Sequence, residues 1–302
     1  MKIKSIVKNG EALIAFFEKE KKHLLHFYPG LTIQRLKQDF KLMAFIHGID
    51  NGTNADEIFD RPYLSYKTNP LTIFFEKLSL GIPLEYITGY RYFYKSLFRV
   101  TPDVLIPRSE TEILVEKSVQ WIKKHPSTEI SVLDLGTGSG AIALSILMDA
   151  DKKLEVVASD ISEKALKVAR ENYSSLKYLF PTDHKMSFIQ SDRFLNIKGQ
   201  FDLICTNPPY IKRLADREGV HHQVQNSEPH LALFLDDDLY DLWFRDLFTA
   251  CFNHLKPKGM VMMEGHENHL EHLSEIAKVV GFTQIELIKD YTDRLRFLKI
   301  LK

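Results

Sequence analysis

Four consecutive residues, Asn207-Pro208-Pro209-Tyr210, combine a side-chain amide, a rigid backbone and an aromatic ring. Two adjacent prolines have fixed φ angles and no N–H groups, so they make a stiff corner. The Asn207 amide oxygen and the Pro208 carbonyl can together accept both protons of a planar amino or amide nitrogen. Tyr210 can lay its ring on that planar group, the ring face rather than the hydroxyl being the useful part. Asn and Pro also build ordinary turns. Position separates the two readings. The run comes directly after the strand-like segment Phe201–Thr206, and open α/β sheets bind ligands at the carboxyl ends of their strands.

A second constellation is Asp134-Leu135-Gly136-Thr137-Gly138-Ser139-Gly140, set between a strand-like and a helix-like segment. Glycines let the chain turn tightly and let a ligand press on the backbone. Thr137 and Ser139 complete the loop and share its candidate role, and the amides of the following helix offer donors. The spacing differs from the Gly-x-Gly-x-x-Gly of dinucleotide enzymes. Asp160 ends the next strand, 20 residues after Gly140. There a carboxylate can accept hydrogen bonds from ribose hydroxyls, while Ser162 is available to cap the next helix. Asp192 and Arg193 end the third strand, where Asp192 can accept from an adenine amino group or stand as a solvated loop acid. No Gly-Lys-Ser/Thr ending completes the loop, and its acids repel phosphates. The pattern fits a nucleoside ligand without a polyphosphate.

These residues need a sheet to bring them together. The pattern predicts helices at 110–124, 140–149, 162–173 and 267–280, the last stopping at Gly281. It predicts strands at 130–134, 155–159, 186–190, 201–206 and 258–264. Such alternation argues a parallel sheet with helices on both faces. Thr283–Ile288 and Arg294–Ile300 are joined by a short polar loop, so they should pair antiparallel. Residues 1–82 read as a small helical domain. Its apolar residues recur at helical spacing: Leu13, Phe16, Phe17 and Leu24; Leu36, Phe40, Met43 and Phe45; Ile73, Phe74 and Leu78. Pro29-Gly30 and Asn51-Gly52 read as turns. Residues 83–108 are aromatic-rich and read as a β-hairpin linker with Gly89 at its turn, and 109–302 as the ligand-binding domain.

The chain has 302 residues, 44% hydrophobic and 26% charged, an ordinary globular composition. Forty basic and forty acidic side chains cancel, which excludes a globally basic nucleic-acid coat. Through residue 98 there are 14 basic and 10 acidic side chains, too even to mark a nucleic-acid recognition domain. Two cysteines, Cys205 and Cys251, make no disulfide framework and fit a reducing compartment. No apolar run approaches a membrane span, and Met-Lys-Ile-Lys-Ser leads into no signal-peptide core. The expectation is a cytoplasmic monomer without membrane or direct nucleic-acid contact.

On the glycine loop with its acid and on Asn207-Pro208-Pro209-Tyr210, the chain resembles the S-adenosylmethionine-dependent amino-methyltransferases. More specifically it resembles the HemK/PrmC family, the protein-(glutamine-N5) methyltransferases of peptide-chain release factors. Pro83-Leu84-Glu85-Tyr86-Ile87-Thr88-Gly89 is similar to that family's Pro-x-x-Tyr-x-x-Gly linker. Ile106-Pro107-Arg108-Ser109-Glu110-Thr111-Glu112 is similar to its Ile-Pro-Arg-x-x-Thr-Glu segment, and Glu228-Pro229-His230-Leu231-Ala232-Leu233 to its Glu-Pro-x-x-Ala-Leu. Phe234-Leu235-Asp236 stands where the family usually has Gly-Gly, and Arg193 where an aromatic often comes after the aspartate. The resemblance implies a Rossmann-like α/β fold and an S-adenosylmethionine pocket formed by Gly136, Thr137, Gly138, Ser139, Gly140, Asp160, Asp192, Arg193 and Asn207. It implies a substrate grip by Asn207, Pro208, Pro209 and Tyr210 on the glutamine of a release factor's Gly-Gly-Gln loop. An amino-methyltransferase of adenine or guanine, and a non-catalytic nucleoside-binding module, are the competing readings.

Other residues carry less. His266, His269 and His272 at i, i+3, i+6 read as a solvated helix face rather than a metal site, with Glu264 nearby. Cys205 reads as a buried strand residue, and His221-His222 as part of a polar loop. Asp236-Asp237-Asp238 reads as a helix-capping charge cluster.

Overall fold

The alternation after residue 109 becomes a seven-stranded sheet in a computed structural model of the chain, which describes residues 7–46, 57–61, 63 and 69–302. The chain divides into two units. One runs to Tyr90 and also takes in His222–Ser227; the other is Arg91–His221 with Glu228–Lys302.

The first unit contains helices α1 (Asn9–Phe27), α2 (Ile33–Ile46), α3 (Pro70–Ser79) and α4 (Leu84–Thr88). Leu13, Phe17 and Leu24 of α1, Leu36, Phe40 and Met43 of α2, and Leu71, Phe74 and Leu78 of α3 close one core. Three positions depart from the expected faces. Phe45 is 65% exposed, and Phe16 and Ile73 are only half-buried, Phe16 still packing against the core. The phase of α3 is fixed at its start, where the Asn69 side chain accepts from the Leu71 amide and Pro70 supplies the first turn, so Leu71 rather than Ile73 faces inward. The Asn51-Gly52 turn lies outside the described residues. Gly89 is not a hairpin turn. It closes α4 in the left-handed conformation (φ 81°), ending a helix that Pro83 begins.

The hairpin lies one step later. Strands β1 (Tyr90–Phe93) and β2 (Ser96–Arg99) turn at Tyr94-Lys95, and Phe93 and Phe98 are fully buried edge to face. These rings pack and do nothing else visible. The second unit continues with α5 (Thr111–Lys124), β3 (Glu129–Leu135), α6 (Ala141–Asp149), β4 (Lys153–Asp160), α7 (Glu163–Leu176), β5 (Lys185–Gln190), β6 (Phe201–Thr206) and β7 (Ile211–Lys212). After the helix α8 (His222–Ser227) of the first unit come β8 (Phe234–Leu235), α9 (Tyr240–His254), β9 (Leu255–Glu264), α10 (Leu270–Val280), β10 (Gln284–Lys289) and β11 (Leu295–Leu301). The sheet order is β10-β11-β9-β6-β3-β4-β5, parallel from β9 to β5. β11 runs antiparallel to both β9 and β10, as expected for two strands joined by a short loop.

Alternate strand residues face opposite layers. Val132, Leu203, Met260 and Met262 pack under α5 and α6, while Leu133, Ile204, Val261 and Met263 pack under α9 and α10. Burial of side chains of this size stabilises by about 1.5–3 kcal/mol each. Every residue of β6 is buried, which is why that strand reads as a continuous run rather than an alternation. Among the described residues no helix is long and apolar enough to cross a membrane.

Candidate functional site

β4 and β5 extend the sheet to one side of β3, and β6 and β9 to the other. The strand order therefore reverses between β3 and β6, where Leu135 lies beside Thr206. The glycine loop leaves one of these ends and Asn207-Pro208-Pro209-Tyr210 leaves the other. A crevice at such a reversal is where open α/β sheets take ligands. Here it is a cavity of about 230 Å³ that brings together Gly136, Gly138, Asp160, Asp192, Arg193, Asn207, Pro208 and Pro209. Of the expected site residues, Thr137, Ser139, Gly140 and Tyr210 do not line it.

The loop explains that split. Gly136 and Gly138 have positive φ, and a Cβ at either would meet nothing, so their bare backbone faces open space. Gly140 serves packing instead: a Cβ there would stand 3.3 Å from Ala169 of α7. Thr137 turns inward and donates to Asp134 at 2.6 Å. The Ser139 carbonyl accepts from Asn172 at 2.8 Å. Asp134 is fully buried and also accepts from the Ala143 amide. Burial pushes its carboxyl up to about 6, against the pull of those two donors. Asp134 thus anchors the loop and α6. Asp160 accepts from the amides of Gly138 and Ser162, each at 2.9 Å, so it shapes the loop as well as facing the cavity. Burial raises its pKa, opposed by these amides. A carboxylate has about four acceptor positions, so capacity remains for a ligand. Ser162 caps α7 through the Ala165 amide.

Asn207 is half-buried, and its Nδ2 donates to Thr111 Oγ1 at 3.4 Å. Thr111 in turn donates to Glu264 Oε2 at 2.6 Å. Tyr210 donates its hydroxyl to Glu264 Oε1 at 3.2 Å, a partner for that hydroxyl that the sequence does not disclose. Its carbonyl accepts from the Tyr240 hydroxyl at 3.1 Å. Burial raises the pKa of the Tyr210 phenol, and the Glu264 charge adds to the effect. Burial likewise raises the Glu264 carboxyl, while Thr111, the positive charge of Arg296 and Tyr210 pull it back. Glu264 ends β9 after four buried apolar residues, Met260 to Met263. A strand-terminal acid on the same edge as Asp160 is the sequence signal that could single it out.

Two of the sequence motifs meet in space. Glu228, 4% exposed, accepts from the Ile106 amide at 3.1 Å and from Arg108 Nη2 at 2.6 Å. Val104, Leu105, Pro229 and Leu231, next to this pairing in sequence, all line the cavity. Trp243 of α9 also lines the cavity, and the Arg193 guanidinium lies 5.6 Å from its ring centroid. Arg193 takes a left-handed backbone (φ 47°), with Asp192 at 3.3 Å and Asp246 at 3.7 Å. Among the described lining residues Arg193 carries the only positive charge, and it is neutralised locally.

Of the remaining expectations, that for Cys205 as a buried strand residue holds and the others need correction. α10 begins at Leu270, so His266 and His269 precede it rather than form a helix face. They group with Asp216, their ligand atoms within 4.8 Å of one another. His269 Nε2 already contacts Asp216 at 2.8 Å, Asp216 accepts from the Lys212 amide, and His266 Nδ1 accepts from Asn268. Through the Lys212 amide these partners tie the group to β7. His272 alone is exposed, beside Asp241. Asp237 caps no helix: it accepts from the Leu214 and Ala215 amides, which hold its carboxyl below the usual range. His222 begins α8 and stacks on His26 within the first unit. Cys205 is buried against Ser118.

The methyltransferase small domain family matches residues 111–233. A Leptospira interrogans protein named release factor glutamine methyltransferase is 38% identical over 218 residues, covering 72% of this chain and 73% of that one. A Haemophilus influenzae protein of the same name is 32% identical over 238 residues, covering 75% and 78%. A solved 16S rRNA N2 methyltransferase of Thermus thermophilus, in complex with AdoMet and guanosine, shares the fold at a TM-score of 0.50 and 18% identity. That match covers 70% of this chain and 49% of the other.

Proposed function

The chain belongs to the release factor glutamine methyltransferases, and from that premise we propose how its residues divide the work. The reaction methylates a release factor glutamine. The methyl donor is S-adenosylmethionine, held in the β3–β6 cavity, and the acceptor is the side-chain nitrogen of the glutamine in a Gly-Gly-Gln loop. The observation that carries this reading is the shared cavity, in which Asn207 and Pro208 face the same space as Gly136, Gly138 and Asp160.

The residues present fit a sulfonium nucleoside. The bare backbone at Gly136 and Gly138 admits close approach, Asp160 offers acceptors to a ribose, and Asp192 stands ready for an adenine amino group. No unneutralised cation among the described lining residues favours a polyphosphate. When bound, S-adenosylmethionine supplies an electrophilic methyl group. The chain's own task is to make a poor nucleophile usable, because an amide lone pair is delocalised into its carbonyl. Asn207 Oδ1 and the Pro208 carbonyl accept the two amide protons and hold the nitrogen in line. Positioning of this kind supplies up to roughly 7–11 kcal/mol in favourable cases. Both acceptors strengthen as positive charge grows on nitrogen, so they favour the transition state over the ground state. Tyr210, held through Glu264 and outside the cavity lining, supports the planar group only once the glutamine enters beside it. The helical first unit docks the release factor, and the enzyme works as a cytoplasmic monomer without direct nucleic-acid contact.

Methyl transfer from labelled S-adenosylmethionine to a purified release factor, to RNA and to DNA tests the acceptor. Incorporation into the protein, lost when its Gly-Gly-Gln glutamine is replaced, is expected. Incorporation into nucleic acid alone overturns the reading. Two smaller effects test the pocket. Asp160→Ala weakens S-adenosylhomocysteine by about 1.5–3 kcal/mol, the worth of a charged hydrogen bond, and unchanged affinity by calorimetry would remove Asp160 from the ribose site. The chain has two tryptophans, Trp121 and Trp243. In a Trp121→Phe background, emission from Trp243 changes saturably as S-adenosylhomocysteine fills the cavity. A flat titration, with calorimetry still reporting binding, would place the ligand elsewhere.

A further inference from the structure

The geometry points to Glu264 as a positioning residue that sets which end of the Asn207 amide faces the substrate. A side-chain amide is nearly symmetric in shape but not in chemistry: one end accepts and the other donates. Only the oxygen end can receive the target's N–H. The NH2 end would oppose the target's own NH2, donor against donor. Something on the buried side must therefore fix the flip, an inference that rests on the amide-clamp reading above.

The fixing group is two bonds away. Thr111 carries a single hydroxyl proton. Its Oγ1 stands 2.6 Å from Glu264 Oε2, the length of a hydroxyl donating to an ionised carboxylate. With that proton committed, Oγ1 can only accept from Asn207. The amide end beside Thr111, 3.4 Å away, is accordingly Nδ2, and Oδ1 is the end left for the target. The other carboxylate oxygen accepts the Tyr210 hydroxyl at 3.2 Å. One buried acid thus orients the two polar side chains of Asn207-Pro208-Pro209-Tyr210, one through each oxygen. The positive charge of Arg296 favours its ionised form, against the burial that raises its pKa.

Substitutions can reverse the chain of donors. In Glu264→Gln the glutamine satisfies Tyr210 by presenting its oxygen there, which turns its NH2 toward Thr111. Thr111 then accepts from residue 264, its proton swings to position 207, and the asparagine flips. Turnover falls at least tenfold, measured on a release factor with saturating labelled S-adenosylmethionine. The affinity for S-adenosylhomocysteine stays within twofold. Asn207→Asp alone is also slow, since a second carboxylate then faces a hydroxyl that has no proton to offer it. Combined with Glu264→Gln, the aspartate receives the Thr111 proton and still presents an acceptor to the target. The double variant therefore turns over at least several-fold faster than Asn207→Asp, a rescue that a purely structural role for Glu264 does not give. A parallel pair separates the hydroxyl from its volume: Thr111→Ser keeps turnover within a few-fold of wild type, and the near-isosteric Thr111→Val loses it.

Wild-type turnover in Glu264→Gln overturns the inference, as does a double variant no faster than Asn207→Asp, or Thr111→Val outperforming Thr111→Ser. Those results leave the amide clamp standing. If the wild-type chain methylates no release factor, the clamp reading falls and this inference with it.

Discussion

Asn207→Ala lowers methyl transfer by roughly 10²–10³, the effect of deleting one preorganised hydrogen-bonding group that acts on charge developing in a transition state. The substitution removes one of two acceptors for the amide protons and leaves the Pro208 carbonyl. Position 207 lies just beyond the fully buried β6 and is only half-buried itself, so little core packing is lost. The nucleoside side of the cavity is built by the glycine loop, Asp160 and the Glu228 clamp, none of which the change touches. Affinity for S-adenosylhomocysteine therefore falls far less than turnover. The measurement is single-turnover transfer to a release factor with S-adenosylmethionine saturating. Transfer at the wild-type rate would reduce Asn207-Pro208-Pro209-Tyr210 to a turn. A loss of affinity equal to the loss of rate would make Asn207 a cofactor residue.

Glu228→Ala acts on stability instead. The carboxylate side chain is 1% exposed and joins the Ile106 amide to the Arg108 guanidinium. Its removal strands a buried backbone donor and takes one partner from the Arg108 guanidinium. Breaking a fully buried pair costs about 3–5 kcal/mol. Arg108 is 32% exposed, which sets the expected loss near the lower limit. For a unit of this size that corresponds to a fall of roughly 6–12 °C in melting temperature. Calorimetry of the Glu228→Ala chain beside Glu228→Gln, which keeps an acceptor for Ile106, separates the two losses. A fall under about 2 °C in the alanine variant would show that the clamp is ornamental to folding.

Local chemistry is legible in the sequence, and long-range chemistry is not. β6 is buried along its whole length, so it stands out as an apolar run, and Asn207-Pro208-Pro209-Tyr210 after it can be placed at a sheet edge. Asp160 declares itself by ending β4 and Asp192 by coming two residues after β5, and the antiparallel pair β10–β11 is dictated by a loop too short to cross the sheet. Thr111 and Glu228 carry no such local mark, and Glu264, though it ends β9, shows nothing of its partners in the sequence. Their roles arise from partners more than a hundred residues away. For the same reason the sequence points to the Tyr210 ring but not to its hydroxyl. The histidines mislead because their pattern puts the helix start three residues early, so His266 and His269 are counted onto a helical face although they precede the helix. Gly89 misleads because glycine ends helices as readily as it turns hairpins, and only the Pro83 start distinguishes the two.

The order of the strands also dictates when competence can appear during synthesis. The glycine loop and Asp160 leave the ribosome well before Glu264, which at about 5–20 residues per second trails them by roughly 5–20 s. Through that interval β6, once made, has β3 on one side and nothing on the other, an open edge of the kind that recruits foreign strands. Thr111 meanwhile waits for a partner 153 positions downstream. A nascent chain stalled short of β9 can carry its nucleoside-facing loop and still leave Asn207 free to turn either way. The arrival of β9 ends both conditions at once, sealing the edge of β6 and delivering the carboxylate that Thr111 requires.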